Sequence, residues 1–266
     1  MSGKQGIKIA IGGKGGVGKT TVCAILSQLF ADDGFDVMAI DADPDTNLAS
    51  ALGISSEQSP EPLINMKDLI AERTGTEKNA LGMYFKLNPN VSDLPEKYWH
   101  KSNGLKLLVL GAITQAGSGC ACPEGSFLKA LLRDTILQRQ EMVLVDLAAG
   151  VEFMGRASVQ GIDALVLVVE PGGRSIETAN NMAKMGRELG IECIAAVANK
   201  ITETSQIDII KRQLPNVELL GSLRYSRALQ QADLGRTPVL GADAEIINEL
   251  KQVKNQLTQL VLKVKS

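Results

Sequence analysis

The amino-acid sequence predicts an α/β fold class, a doubly wound, mostly parallel sheet in a single domain over residues 1–266. Three observations carry this expectation. Apolar runs rich in β-branched residues alternate with segments of helical period along most of the chain. Hydrophobic residues make up 44% of the 266, enough to bury one large core. Aromatics are scarce, with one Trp, three Tyr and five Phe, so the core must be built from Ala, Val, Ile and Leu, as suits parallel strands covered on both faces.

The elements follow in chain order. Residues 7–11, 37–40, 105–110, 142–145, 164–169 and 193–197 read as buried strands, and residues 20–32, 127–138, 176–189 and 205–214 as the helices between them. The least regular stretch, 75–103, holds the only Trp and the only His, Trp99 and His100 in "KYWHKSN". It reads as a lid or insertion packed by its own aromatics, with a partner contact or a metal ligand as the alternative. The C-terminal "EIINELKQVKNQLTQLVLKVK" puts Ile246, Ile247, Leu250, Val253, Leu257, Leu260, Val261 and Val264 on one helical face. That face predicts a last helix covering the sheet, with a membrane-surface anchor as the alternative. No Pro/Gly/Ser linker and no internal repeat divides the chain.

Composition narrows the function classes. A formal charge of -2 with scattered Lys and Arg gives no footprint for nucleic acid. No apolar run approaches the roughly 20 residues that span a bilayer, and the N-terminal "MSGKQGIKIAI" is too short for a signal peptide. The expectation is a cytoplasmic protein with no nucleic-acid and no membrane partner. Four cysteines in a reducing compartment are not a disulfide framework, and Cys23 and Cys193, set in apolar patterns, read as small core residues.

Chemistry begins directly after the first strand, at "GGKGGVGKTT". Gly13, Gly18, Lys19 and Thr20 satisfy G-x-x-x-x-G-K-[ST] in the strand–loop–helix setting that a phosphate-binding loop needs. Backbone N–H groups from Gly13 through Lys14, Gly15, Gly16, Val17 and Gly18 to Thr21 can converge on phosphate oxygens. Lys19 neutralises the outer phosphates, and the Thr20 hydroxyl can ligate Mg2+. Further on, "MVLVDLAAG" is an apolar strand ending in Asp146, suited to holding Mg2+ through water.

Lys14 is a second cation that an ordinary loop of this kind lacks, and with it the sequence resembles the deviant Walker A superfamily of P-loop NTPases. That superfamily includes the MinD and ParA positioning ATPases, nitrogenase iron protein, and the arsenite and tail-anchored-protein ATPases. The resemblance implies a homodimer sandwiching ATP, with Lys14 reaching across a two-fold interface to the partner's nucleotide. Charge accumulating on a buried triphosphate in its transition state gives such a cation work to do. The resemblance further implies that Asp43, in "DADPDTNLA", positions or deprotonates the attacking water. In the same motif Asp41 supports the metal and Asn47 the switch near the phosphates. Asn199, in "AAVANK", takes the place of the Asn that hydrogen-bonds the base. A GTPase would carry N-K-x-D, but residue 202 is Thr, which favours ATP.

The stretch "AGSGCACPEGS" places Cys120 and Cys122 one residue apart. Two thiolates can share one soft cation, but Zn2+ or Ni2+ among thiolates takes about four ligands, so a second chain across a two-fold axis would have to complete the set. Incidental loop thiols and a redox pair are the alternatives, although redox sites more often space their cysteines by two residues. With this pair, "VDLAAGVEFMGR" and "VVEPGGRS", the sequence resembles the CooC/AcsF-type nickel-insertion ATPases that mature carbon monoxide dehydrogenase and the acetyl-CoA synthase system. The resemblance implies an ATP-driven metallochaperone that delivers Ni2+, with Zn2+ possible in the same site. Leu147 and Phe153 depart from the Thr and His common in that family, which predicts slow hydrolysis and leaves the cysteine pair as the metal ligands. The competing readings are a positioning ATPase acting on membrane or DNA and an iron–sulfur cluster carrier.

Overall fold

A computed structural model describes residues 6–76, 84–102, 104–111, 123–138, 141–148 and 161–265. Its eight strands are β1 (Lys8–Gly12), β2 (Val37–Ala42), β3 (His100–Ser102), β4 (Leu105–Val109), β5 (Met142–Leu147), β6 (Ala164–Val169), β7 (Cys193–Ile201) and β8 (Glu218–Arg224). They form one sheet in the order β3-β4-β2-β5-β1-β6-β7-β8, parallel throughout except between β3 and β4. The chain turns to one side after β1 and crosses to the other between β5 and β6. That crossing makes the carboxyl end of β1 a topological switch point, the place where open α/β sheets bind ligands.

Strand side chains alternate between two faces, which produces two cores. On one face Ile9, Ile11, Ala39, Leu144 and Val166 pack against α1 (Lys19–Asp32) and α9 (Ala244–Lys265). On the other, Ala10, Ile40, Val143, Val145 and Leu165 meet α5 (Pro123–Gln138), α6 (Gly173–Glu188) and α7 (Thr204–Gln213) through Phe127, Leu131, Met182 and Ile210. Every residue of β2, β5 and β6 is buried, hence their unbroken apolar sequence apart from Asp41 and Asp146. Cys23 and Cys193 are free thiols in the first core, and burial raises both pKa values, that of Cys193 to about 11.

The structure departs from expectation at the sheet's rims. The described residues of the 75–103 stretch do not form an insertion packed on itself. After α2 (Leu48–Ala51) and α3 (Lys67–Thr74), α4 (Leu94–Tyr98) leads into β3, which adds antiparallel to the edge, with His100 opposite Leu107. Trp99 packs on the second core with Lys106 Nζ 4.5 Å from its ring centroid. Residues 218–224 and α8 (Arg227–Gly235) were unforeseen as elements, because β8 is only half-buried and lacks the apolar run of an inner strand.

The C-terminal segment is the covering helix expected. In α9, Ile246, Leu250, Val253, Leu257 and Val261 are buried against the sheet and α1, whereas Val264 is exposed beyond it. Lys254 on this helix is buried in an ion pair with Asp33 at the end of α1. Among the described residues, no helix is long and apolar enough to cross a membrane.

Candidate functional site

The loop between β1 and α1 lies against the ends of β6 and β7. Gly13 has φ +148°, and a Cβ there would stand 2.5 Å from the Val168 carbonyl oxygen. Gly18 has φ +98°, and its Cβ would stand 2.4 Å from Asn199 Nδ2. Both positions demand glycine for conformation and for space. No side chain caps the start of α1, so its first-turn N–H groups are left to an anionic ligand.

Strand register brings the acidic residues together. Asp41 and Asp146 are direct neighbours on β2 and β5, and both are fully buried. Thr20 Oγ1 donates to Asp146 Oδ2 at 2.6 Å, while Asp146 Oδ1 is buried with no hydrogen-bond partner. Asp41 accepts from the backbone N–H groups of Leu48 (3.0 Å) and Asp43 (3.2 Å). Burial, reinforced by the charge of Asp146, pushes the Asp41 pKa up to about 8. Burial likewise lifts Asp146 to about 7, against the opposing effects of the Thr20 hydrogen bond and Lys19. An unpartnered buried carboxylate oxygen beside a threonine hydroxyl fits a hydrated Mg2+, whose charge would favour both ionised carboxylates.

The cations have distinct settings. Lys19 is buried, with Nζ 3.8 Å from Asp43 Oδ2. Asp43 in turn accepts from the Asp45 N–H at 3.0 Å, which orders the segment after β2. Lys14 is partly exposed, and its Nζ lies 3.6 Å from Glu170 Oε1 of its own chain.

Asn199 ties β7 to the loop. Its Nδ2 donates to the Val17 carbonyl at 2.7 Å and its Oδ1 accepts from the Lys200 N–H at 2.8 Å, so both ends of the amide already have protein partners. Lys200 was overlooked in the sequence. It holds φ +58°, unusual for a non-glycine residue, and donates from Nζ to the Gly16 carbonyl at 2.6 Å. The adjacent pair "NK" was the available signal.

These groups open on a cleft of about 500 Å³, a volume suited to a small ligand. Gly15, Gly16, Gly18, Lys19, Thr20 and Thr21 line its floor, with Asp43, Asn47 and Asn199 beside them. Its far wall, Tyr225, Leu229, Gln230 and Leu234 from the end of β8 and α8, was not foreseen. Tyr225 OH donates to Gln230 Oε1 at 2.5 Å across that wall. Nothing local in "RYSRALQQADLG" marks it as part of a site, because its role depends on β8 pairing with β7. Leu147, at the end of β5, packs into the second core and offers the site no hydroxyl. Cys120, Cys122 and Phe153 lie outside the described residues.

A triphosphate is the ligand this loop is shaped to take, and the chain is accordingly a P-loop nucleoside triphosphatase. More narrowly, it belongs to the CobQ/CobB/MinD/ParA nucleotide binding domain family, whose model matches residues 8–239, and it is an ATPase. It is 44% identical over 229 residues to the carbon monoxide dehydrogenase accessory protein CooC of Rhodospirillum rubrum, covering 85% of this chain and 87% of that one. An uncharacterized ATP-binding protein of Methanocaldococcus jannaschii is 38% identical, over 96% of this chain and 98% of its own. The fold matches the MinD cell division protein of Aquifex aeolicus at TM-score 0.67 and 22% identity, over 94% of this chain and 96% of that one.

Proposed function

We propose that the chain is a homodimeric, Mg-ATP-dependent metallochaperone. It carries Ni2+ on Cys120 and Cys122 of two subunits and delivers it to apo carbon monoxide dehydrogenase or to the acetyl-CoA synthase complex. The observation that carries this reading is the 44% identity to CooC, over 85% of this chain and 87% of that one. Zn2+ competes for the same thiolates. The C-terminal helix, spent on covering the sheet, speaks against a membrane-positioning role.

The geometry of the site supports the following roles within this reading. Loop amides from Gly13 to Thr21 and the Lys19 ammonium bind the phosphates. Asn47 lies beside them, and Asn199, whose amide also braces the loop at Val17, is the residue we assign to the base. Thr20 and Asp146 hold Mg2+, which neutralises charge on the phosphate oxygens when bound. Asp43, beside Lys19, orients the attacking water and takes its proton as the γ-phosphoryl bond breaks. Lys14 of each subunit stabilises the charge that develops on the other's nucleotide.

Asp41 links this chemistry to the metal segment. Its carboxylate holds the Leu48 and Asp43 amides, while its backbone carbonyl accepts from the N–H groups of Leu110 (2.8 Å) and Gly111 (3.4 Å), from which residues 112–122 depart. Gly111 sits at φ +69°, with Ile64 Cγ2 2.7 Å from where a Cβ would be, so the root of the segment is fixed. A shift after β2 on loss of the γ-phosphate is therefore felt at that root, and ATP and metal favour the same closed state.

The test is the double substitution Cys120→Ser with Cys122→Ser. Nickel bound at about one ion per two chains is expected to disappear while ATP binding persists. Nickel retained by the double variant overturns the assignment, and a brown, visibly absorbing protein after anaerobic purification would point to an iron–sulfur cluster instead.

A further inference from the structure

We propose that Glu170 is a positioning residue that parks Lys14 within its own subunit and yields it when a second subunit's nucleotide arrives. The inference rests on the reading above in which Lys14 acts across a dimer. Glu170 immediately follows β6, the neighbour of β1, so its carboxylate faces the phosphate loop from the side. Its backbone is fixed: its N–H donates to Ser175 Oγ at 3.1 Å, and its carbonyl accepts from the Gly172 N–H at 2.7 Å, at the entrance to α6.

The carboxylate divides its oxygens between two cations. Oε1 lies 3.6 Å from Lys14 Nζ and Oε2 lies 3.5 Å from Lys200 Nζ. The two lysines differ in what else holds them. Lys200 is anchored independently by its 2.6 Å bond to the Gly16 carbonyl, inside the loop. Lys14 has a long, half-exposed ion pair, the kind that contributes little to stability and breaks readily. Glu170 and a partner's triphosphate are thus rival anions for one mobile ammonium, and the triphosphate, with more charge in a drier site, wins on closure. The parked state keeps a lone subunit's Lys14 occupied and sets a threshold for dimerisation.

The test compares Glu170→Gln with the parent by sedimentation in Mg-AMPPNP, a non-hydrolysable ATP analogue. The amide keeps the side chain's shape and removes the anion. Half-dimerisation is expected at about three- to tenfold lower protein concentration, the range that one weak ion pair released in each of two subunits allows. AMPPNP affinity measured below the dimerisation range stays within about twofold, because Lys200 still braces the loop. Unchanged or weaker dimerisation overturns the proposal, as does a parallel loss of AMPPNP affinity.

Lys14→Ala separates this failure from failure of the underlying reading. If Lys14→Ala dimerises like the parent, the cross-subunit role of Lys14 is wrong and the parking role falls with it. If Lys14→Ala loses dimerisation, adding Glu170→Gln to it should change nothing. A gain there would show that Glu170 acts through something other than Lys14.

Discussion

Asp41 and Asp146 stand side by side in the sheet, where burial, joined by the charge of Asp146 at Asp41 and that of Asp43 at Asp146, favours their protonated forms. The folded chain therefore binds these protons more tightly than the unfolded chain. The associated stability is fully present near pH 4 and is lost as pH rises through about 7 to 8. Asp93, held low by Arg73 and Lys97, acts in the opposite sense only in acid, and Glu249, raised by burial, adds to the fall in the same sense as the pair, so the contrast with an Asp146 variant is what reads the pair between about pH 5 and about pH 8. In EDTA, urea denaturation should show stability falling across that window, with a shallower fall for Asp146→Asn; a rise with pH in the parent would contradict it. The loop residues were legible because G-x-x-x-x-G-K-[ST] between an apolar strand and a helix fixes their chemistry, and Asp146 because it ends an apolar strand downstream of two matching motifs. Glu170 was not, since nothing near it in sequence says that β6 runs beside β1, and for Lys200 the pair "NK" does not by itself say that β7 follows one strand further out.

At the scale of elements, legibility followed burial. The interior strands came through to within a residue at their amino ends, and β6 at both ends, because a strand covered on both faces must be apolar throughout; β2 and β5 run two residues further than their apolar runs suggest and β7 four, on to Ile201. The rims did not: β3 is three residues long, β8 is half-exposed, and neither carries a distinctive period. α9 shows what a two-sided pattern means when it is read correctly. Leu257 is fully buried between the sheet and α1, whereas Leu262 is 59% exposed. Leu257→Ala should cost about 2–5 kcal/mol in urea denaturation, from lost burial plus the cavity left behind. Leu262→Ala should stay within about 0.5 kcal/mol. Equal costs would mean that the helix's outer face is also covered in the native assembly.

For the whole molecule, the parallel sheet sets the carboxyl ends of β1, β2, β4, β5, β6 and β7 along one edge, so nucleotide loop, acidic pair and the root of the cysteine segment share it. Asp41 joins them by its side chain on one hand and its carbonyl on the other. Such a layout suits the proposed function, in which triphosphate and cargo are sensed together and two copies would give the cargo its second pair of sulfurs. The most direct measurement is the nickel content and mass of the protein eluted from one anaerobic sizing column, run with Mg-AMPPNP and without nucleotide. Nucleotide is expected to move the chain to a dimer carrying one nickel ion per two chains. Nickel travelling with a monomer at one ion per chain, or a nucleotide-bound dimer that takes up none, would contradict it.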